Sequence, residues 1–227
     1  MIEPKKSSPA ASASASYNVS TYPGDRGPLR ARLTAICNSA QESRRNYDLG
    51  ELLALEREFN AVFDQFDREE CPRAELPAWR RPVMLAAWRA ATGDWAGAFE
   101  LDQQAWRAAC AAENTFPARD RLTQLKALSA SNIADELRRL GRLDEAVRWA
   151  KLSCELAPEH TGYAFVYALC LARAGARVEA DRLFRALLTS CPGTPGNLAQ
   201  LVAPFEDDLD EISDLPAVAE YLFGTAV

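Results

Sequence analysis

Residues 133–146 read IADELRRLGRLDEA, and residues 167–180 read YALCLARAGARVEA. The second stretch starts 34 residues after the first, and key small and apolar positions recur at that interval. Ala134 pairs with Ala168, Leu137 with Leu171, Gly141 with Gly175 and Ala146 with Ala180, and further on Pro158 pairs with Pro192. A repeat of this length, in a chain with abundant Ala and little Gly, points to helix-turn-helix units that stack on one another.

The chain from about Ala127 to Pro192 resembles two consecutive tetratricopeptide repeats. Ile133, Ala134 and Leu137 lie on the first helix of one unit, Gly141 makes its turn, Leu143 and Ala146 open its second helix, and Pro158 closes it. Tyr167, Ala168, Leu171, Gly175, Ala180 and Pro192 fill the same places in the next. In that family the small residues let paired helices approach, the glycine tolerates the turn, and the proline stops the second helix. An earlier stretch is similar in its middle, with Leu85, Ala86, Gly93, Asp94, Trp95 and Ala98. There Trp95 takes the large aromatic position and Pro82 stands where a large apolar residue is usual. The resemblance implies an all-α fold of antiparallel helical hairpins, stacked as a short right-handed solenoid with capping helices.

Gly93 and Gly141 are 48 residues apart rather than 34. The additional residues need not break the phase, because Leu122, Leu125, Ser129, Ile133, Leu137 and Leu140 form one continuous stripe. One long helix is therefore expected over residues 119–139, after a bend at Phe116-Pro117. Before Gly93, a helix is expected from Val83, following a connector from Cys71 that holds Pro72, Pro77 and Pro82. The helix after Asp94 is expected to reach Asn114.

An irregular hairpin is expected over residues 28–68. Pro28 suits an early helical position, and Asp48 is an N-cap with Glu51 three residues on. Residues 1–27 are low-complexity, rich in Ser, Ala, Pro and Gly, and read as a disordered tail. The domain proper is expected over 28–227, with repeats across about 79–192 and a cap over 194–227. Leu198, Leu201, Val202 and Phe205 continue the helical spacing as a capping helix would. The acidic run from Glu206 to Glu211 reads as a solvated face or loop, or alternatively as a segment that docks against the basic patch of a partner.

The net charge of −6 disfavours nucleic acid and anionic membrane as partners. No stretch approaches the roughly 18 apolar residues that span a bilayer. The N-terminus lacks an apolar signal core, so the cytoplasm is the expected compartment. The six cysteines form no short ligand pair and read as free thiols, and the single histidine, His160, reads as an exposed turn residue. No nucleotide-binding or hydrolase motif is present, so neither cofactor nor metal is expected and the chain is not read as an enzyme.

The family binds peptides on a concave surface made by the first helix of each unit. The resemblance places Leu128, Ser131, Asp135, Arg138, Arg139, Phe165, Leu169 and Arg173 there as exposed, partner-binding positions. Ser131 and Asp135 stand where some members carry the Lys and Asn of a carboxylate clamp. Phe165 and Leu169 suggest an apolar groove with arginine edges, or alternatively pack against the next helix or the C-terminal segment. Asp135 and Glu136 beside Arg138 and Arg139 also suit a salt-bridge network along one helix face. The expected function is an adaptor or chaperone-like subunit holding another protein or peptide, with self-association possible. The alternatives are an accessory subunit of an enzyme complex and, less favoured, a small-molecule-binding or catalytic repeat protein.

Overall fold

The computed structural model describes residues 27–190, residue 208 and residues 212–223. Among them the regular elements are all helical. They are α1 (Pro28–Arg45), α2 (Leu49–Glu69), a 3-10 turn (Cys71–Arg73), α3 (Pro77–Thr92), α4 (Trp95–Ala111), α5 (Arg119–Arg139), α6 (Leu143–Leu156), α7 (Thr161–Arg173), α8 (Arg177–Ser190) and α9 (Pro216–Phe223). Each odd helix from α1 to α7 pairs with the helix after it. Successive pairs stack through α4 on α5 and α6 on α7, and α1 also meets α3, as α5 meets α7. The result is an all-α stack of helix pairs, the architecture of a helical-repeat protein. The expected tail up to residue 26, the repeat proline Pro192 and the capping stripe at 198–205 lie outside the described residues.

Four turns close these hairpins in one way. The N–H of Gly141 donates to the Arg138 carbonyl and that of Arg142 to Leu137, while Gly175 and Ala176 do the same to Ala172 and Leu171. Gly93 and Asp94 reach Ala90 and Arg89, and Tyr47 and Asp48 reach Arg44 and Ser43. Each turn needs one residue in the left-handed region to satisfy the last carbonyls of the preceding helix. Gly93, Gly141 and Gly175 supply it at φ +88°, +76° and +86°, and Tyr47 supplies it at φ +56°. The first hairpin is thus closed like the others, with a tyrosine in the glycine position.

Local chemistry sets the other helix ends. Asp48 and Asp94 each accept a bond from the backbone N–H three residues on, at 2.9 Å, and so cap α2 and α4. α1 has no cap of its own; Glu70, at the end of α2, accepts from the N–H groups of Leu29 and Arg30 at 2.8 and 3.2 Å. A Cβ at Gly27 would run into that carboxylate.

Two expected boundaries move. α3 starts at Pro77 rather than Val83, because a proline at the first helical position gives up no helix bond. Pro82 lies inside α3, where its missing N–H costs a bond that the burial of Trp79, Val83 and Met84 offsets. α4 stops at Ala111 rather than Asn114, and a turn closed by Phe116 N–H on the Ala112 carbonyl, at 2.8 Å, follows it. The long helix is found over Arg119–Arg139, 21 residues against 13 in α7.

That length has a reason in the packing. Leu122, Leu125, Ala127 and Leu128 belong to a core shared with α1, α2, α3 and α4 and with Tyr163 of α7, around Phe59, Trp79 and Met84. Ile133, Ala134 and Leu137 belong to a second core with α6, α7, α8 and the C-terminal segment, around Phe165 and Phe184. α5 therefore serves both cores. The Trp79 indole donates to the Ser129 hydroxyl at 2.8 Å near the middle of α5. Among the repeat positions, Ala98, Ala134, Ala146, Ala168 and Ala180 have no exposed surface, as close helix approach requires.

A candidate docking site on α5 and α8

The last turn of α5 carries Asp135, Arg138 and Arg139 on neighbouring helical positions, as the expected charge network does. Arg138 donates to Asp135 Oδ1 from Nε at 3.0 Å and from Nη2 at 2.6 Å. Arg139 Nε reaches Asp135 Oδ2 at 3.3 Å. This network faces inward. The Arg138 side chain is 1% exposed, and those of Asp135 and Arg139 are 14% and 21% exposed.

Two arginines against one aspartate would leave a net positive charge out of water, at high cost. Asp208, seventy residues along the chain, supplies the missing charge. Arg138 holds it bidentately, Nη1 to Oδ1 at 2.7 Å and Nη2 to Oδ2 at 3.0 Å, and Arg139 Nη2 adds a bond at 3.0 Å. The planar guanidinium fork matches a carboxylate in this geometry. Arg139 in turn lies over the Trp95 ring, 4.6 Å from its centroid, and Arg44 stacks on the same ring at 5.3 Å. Burial by itself would push the Asp135 carboxyl up, but Arg138 and Arg139 outweigh it and hold the group at about 2. Burial likewise opposes the charge on Arg138, yet its two carboxylate partners raise its pKa above the ordinary guanidinium value.

The segment that brings Asp208 continues onto α8. Ile212, Leu215, Ala217 and Val218 are buried in the second core. Asp181 Oδ1 accepts from the Ala217 N–H at 2.6 Å, so a carboxylate on α8 caps the first turn of α9. Arg177 pairs with Asp214, and Arg185 with Glu220 at 3.1 Å.

The structure departs here from several sequence expectations. Leu128, Ser131, Arg138, Phe165 and Leu169, expected to be exposed, are buried. Leu128 lies in the first core because α5 has helices packed along both of its sides. Phe165 sits edge-on to Phe184 of α8 at 5.2 Å and shares the second core with Leu169 and the C-terminal segment. Arg173 is exposed at the end of α7. At Asp208 the acidic run is not a solvated face. His160 is half-buried before α7, its ring stacked on Tyr163 at 3.8 Å, and burial lowers its pKa. Asp181 and Arg185 escaped the sequence reading, and Asp208 entered it only as one residue of the acidic run. The one sequence signal that bears on Asp208 is the acidic run that contains it, because Asp135 and Glu136 already match Arg138 and Arg139 in number.

Other features offer less. A recess of about 280 Å³ between α4 and α5 is lined by Glu113, Asn114, Arg119 and Lys126, but Lys126 already pairs with Glu113 at 3.2 Å. Among the described residues no three His, Cys, Asp or Glu side chains gather as metal ligands, and no helix is long and apolar enough to cross a membrane. Cys37, Cys71 and Cys170 are buried free thiols, and burial pushes Cys37 and Cys170 up to about 12. No protein-family model, curated protein or solved structure matches the chain. The fold itself defines a class: a generic helical-repeat architecture of stacked helix pairs.

Proposed function

We propose that this protein is a protein-interaction scaffold, an adaptor or chaperone-like subunit of tetratricopeptide type, that holds a segment of another protein on its stacked helices. One observation carries the reading: the Arg138–Arg139 pair grips a carboxylate from a segment distant in sequence, and the same segment lays apolar side chains against α7 and α8. Helix stacks are suited to this task because rigid pairs present a continuous surface without needing a catalytic pocket. An accessory subunit of an enzyme complex is the same reading with an enzyme as the partner, and the cytoplasm is the proposed compartment.

Binding is proposed to draw on Arg139, which is 21% exposed, and on the exposed Arg173. The test is capture on the immobilised full chain, followed by calorimetric titration of the captured protein. Arg139→Gln with Arg173→Glu should weaken association at least about tenfold, with helical circular dichroism confirming the fold because Arg139 also bonds Asp135 and Asp208. Wild-type affinity in a folded double variant would remove the reading.

A further inference from the structure

We propose that the segment bearing Asp208, Ile212, Leu215 and Val218 is an internal stand-in for the partner, so that the docking site recognises an acidic–aliphatic peptide: a carboxylate followed by aliphatic residues. The inference rests on the scaffold reading above and names the chemistry of its ligand.

Charge balance comes first. Asp135 and Asp208 neutralise Arg138 and Arg139, and Arg138 is almost fully removed from water. A ligand that displaces Asp208 must bring one negative charge, or Arg138 and Arg139 are left sharing the single carboxylate of Asp135. The geometry is also selective, because Arg138 offers two parallel N–H groups that suit the two oxygens of a carboxylate.

The outer attachments make exchange feasible. Arg177–Asp214 and Arg185–Glu220 are more than a third exposed on both sides, and such pairs hold weakly. The segment can peel from α8 at the surface while Asp208 is still bound. A competing peptide of the same chemistry then replaces each contact in kind. Asp181 contributes a main-chain contact through the Ala217 N–H, which any non-proline residue at that place can provide. The tethered segment competes at an effective concentration of the order of millimolar, so the site answers only to a ligand that is abundant or better matched.

The test uses the full chain and a fluorescein-labelled synthetic peptide of residues 206–220, with affinity read by anisotropy. Asp208→Ala and, separately, Asp214→Lys weaken the tethered copy and leave the receiving side chains on α5 and α8 intact. Each should bind the peptide at least about tenfold more tightly than the wild-type chain, because the competent state is more populated. A peptide with Ala in place of Asp208 should lose that gain. Equal affinity for the wild-type chain and both variants would overturn the proposal, as would undiminished binding of the Ala peptide. Should Asp208→Ala lose its helical circular dichroism, Asp214→Lys, changed only at an exposed site, decides alone. A captured partner that saturating peptide fails to displace would defeat this inference and leave the scaffold reading standing. A concentration-dependent dimer of the wild-type chain that the peptide dissolves would put a second copy of this chain in the site and overturn the assignment to a different protein.

Discussion

Tyr47 holds a backbone conformation that glycine holds in the three equivalent turns, and its ring is 89% exposed, so it gains little packing in return. A side chain in the left-handed region costs about 1–2 kcal/mol, part of which the greater freedom of an unfolded glycine offsets. Tyr47→Gly should therefore stabilise the fold by about 1 kcal/mol, seen as a higher urea midpoint. Gly141→Ala should do the reverse by about 1 kcal/mol, although a Cβ there meets nothing within 4 Å. A larger loss would mean that contacts, not conformation, select the glycine. Asp135 supplies a second residue-scale test. Its folded pKa of about 2 lies below the ordinary 3.8, so the unfolded chain takes up the proton first as pH falls. Its contribution is complete above about pH 4 and drains away as pH drops towards 2, on the order of 2 kcal/mol in all. Asp135→Asn should flatten that part of the pH–stability curve measured by urea titration; an unchanged slope would assign the acid sensitivity elsewhere. The spacing of Asp135, Arg138 and Arg139 was legible in the sequence. The depth at which they lie was not, because it depends on a segment that arrives from outside the repeat.

Among the elements, α5 to α8 could be read from sequence because both hairpins keep glycine at the turn and alanine at the close contacts, at one fixed interval. The first hairpin could not be matched to them, because Tyr47 hides the turn and the intervals before Gly141 are longer. α3 was read late because Pro77 and Pro82 look like a connector until the burial of Trp79 and Met84 shows otherwise. The alanine contacts can be tested directly. Ala146 and Ala180 are fully buried, so tryptophan at either should overpack the helix pair and destabilise by about 1–3 kcal/mol or more. Denaturation midpoints unchanged in both variants would place these residues on a yielding surface and break the repeat register.

For the molecule as a whole, the class of fold was legible from two exact repeats, whereas the partner-facing surface was not. A resemblance places side chains on a groove but says nothing of what packs on them, and here Phe165 and Leu169 share a core with Ile212, Leu215 and Val218. The double duty of α5 has a further consequence. In a linear array each unit meets only its neighbours, so an end can melt while the remainder stands. A helix that belongs to two cores removes that independence: loosening one end withdraws support from the other, and the array behaves as a single cooperative unit. Leu125→Ala, in the core nearer the N-terminus, should cost about 2–5 kcal/mol, and it should also speed amide exchange in α8, which contributes no residue to that core. Exchange confined to α1–α4 and the first half of α5 would show two melting units instead. Whatever packs on the α8 end should then be sensed as rigidity at α1, carried by the long α5 and by α7, whose Tyr163 and Phe165 lie in different cores.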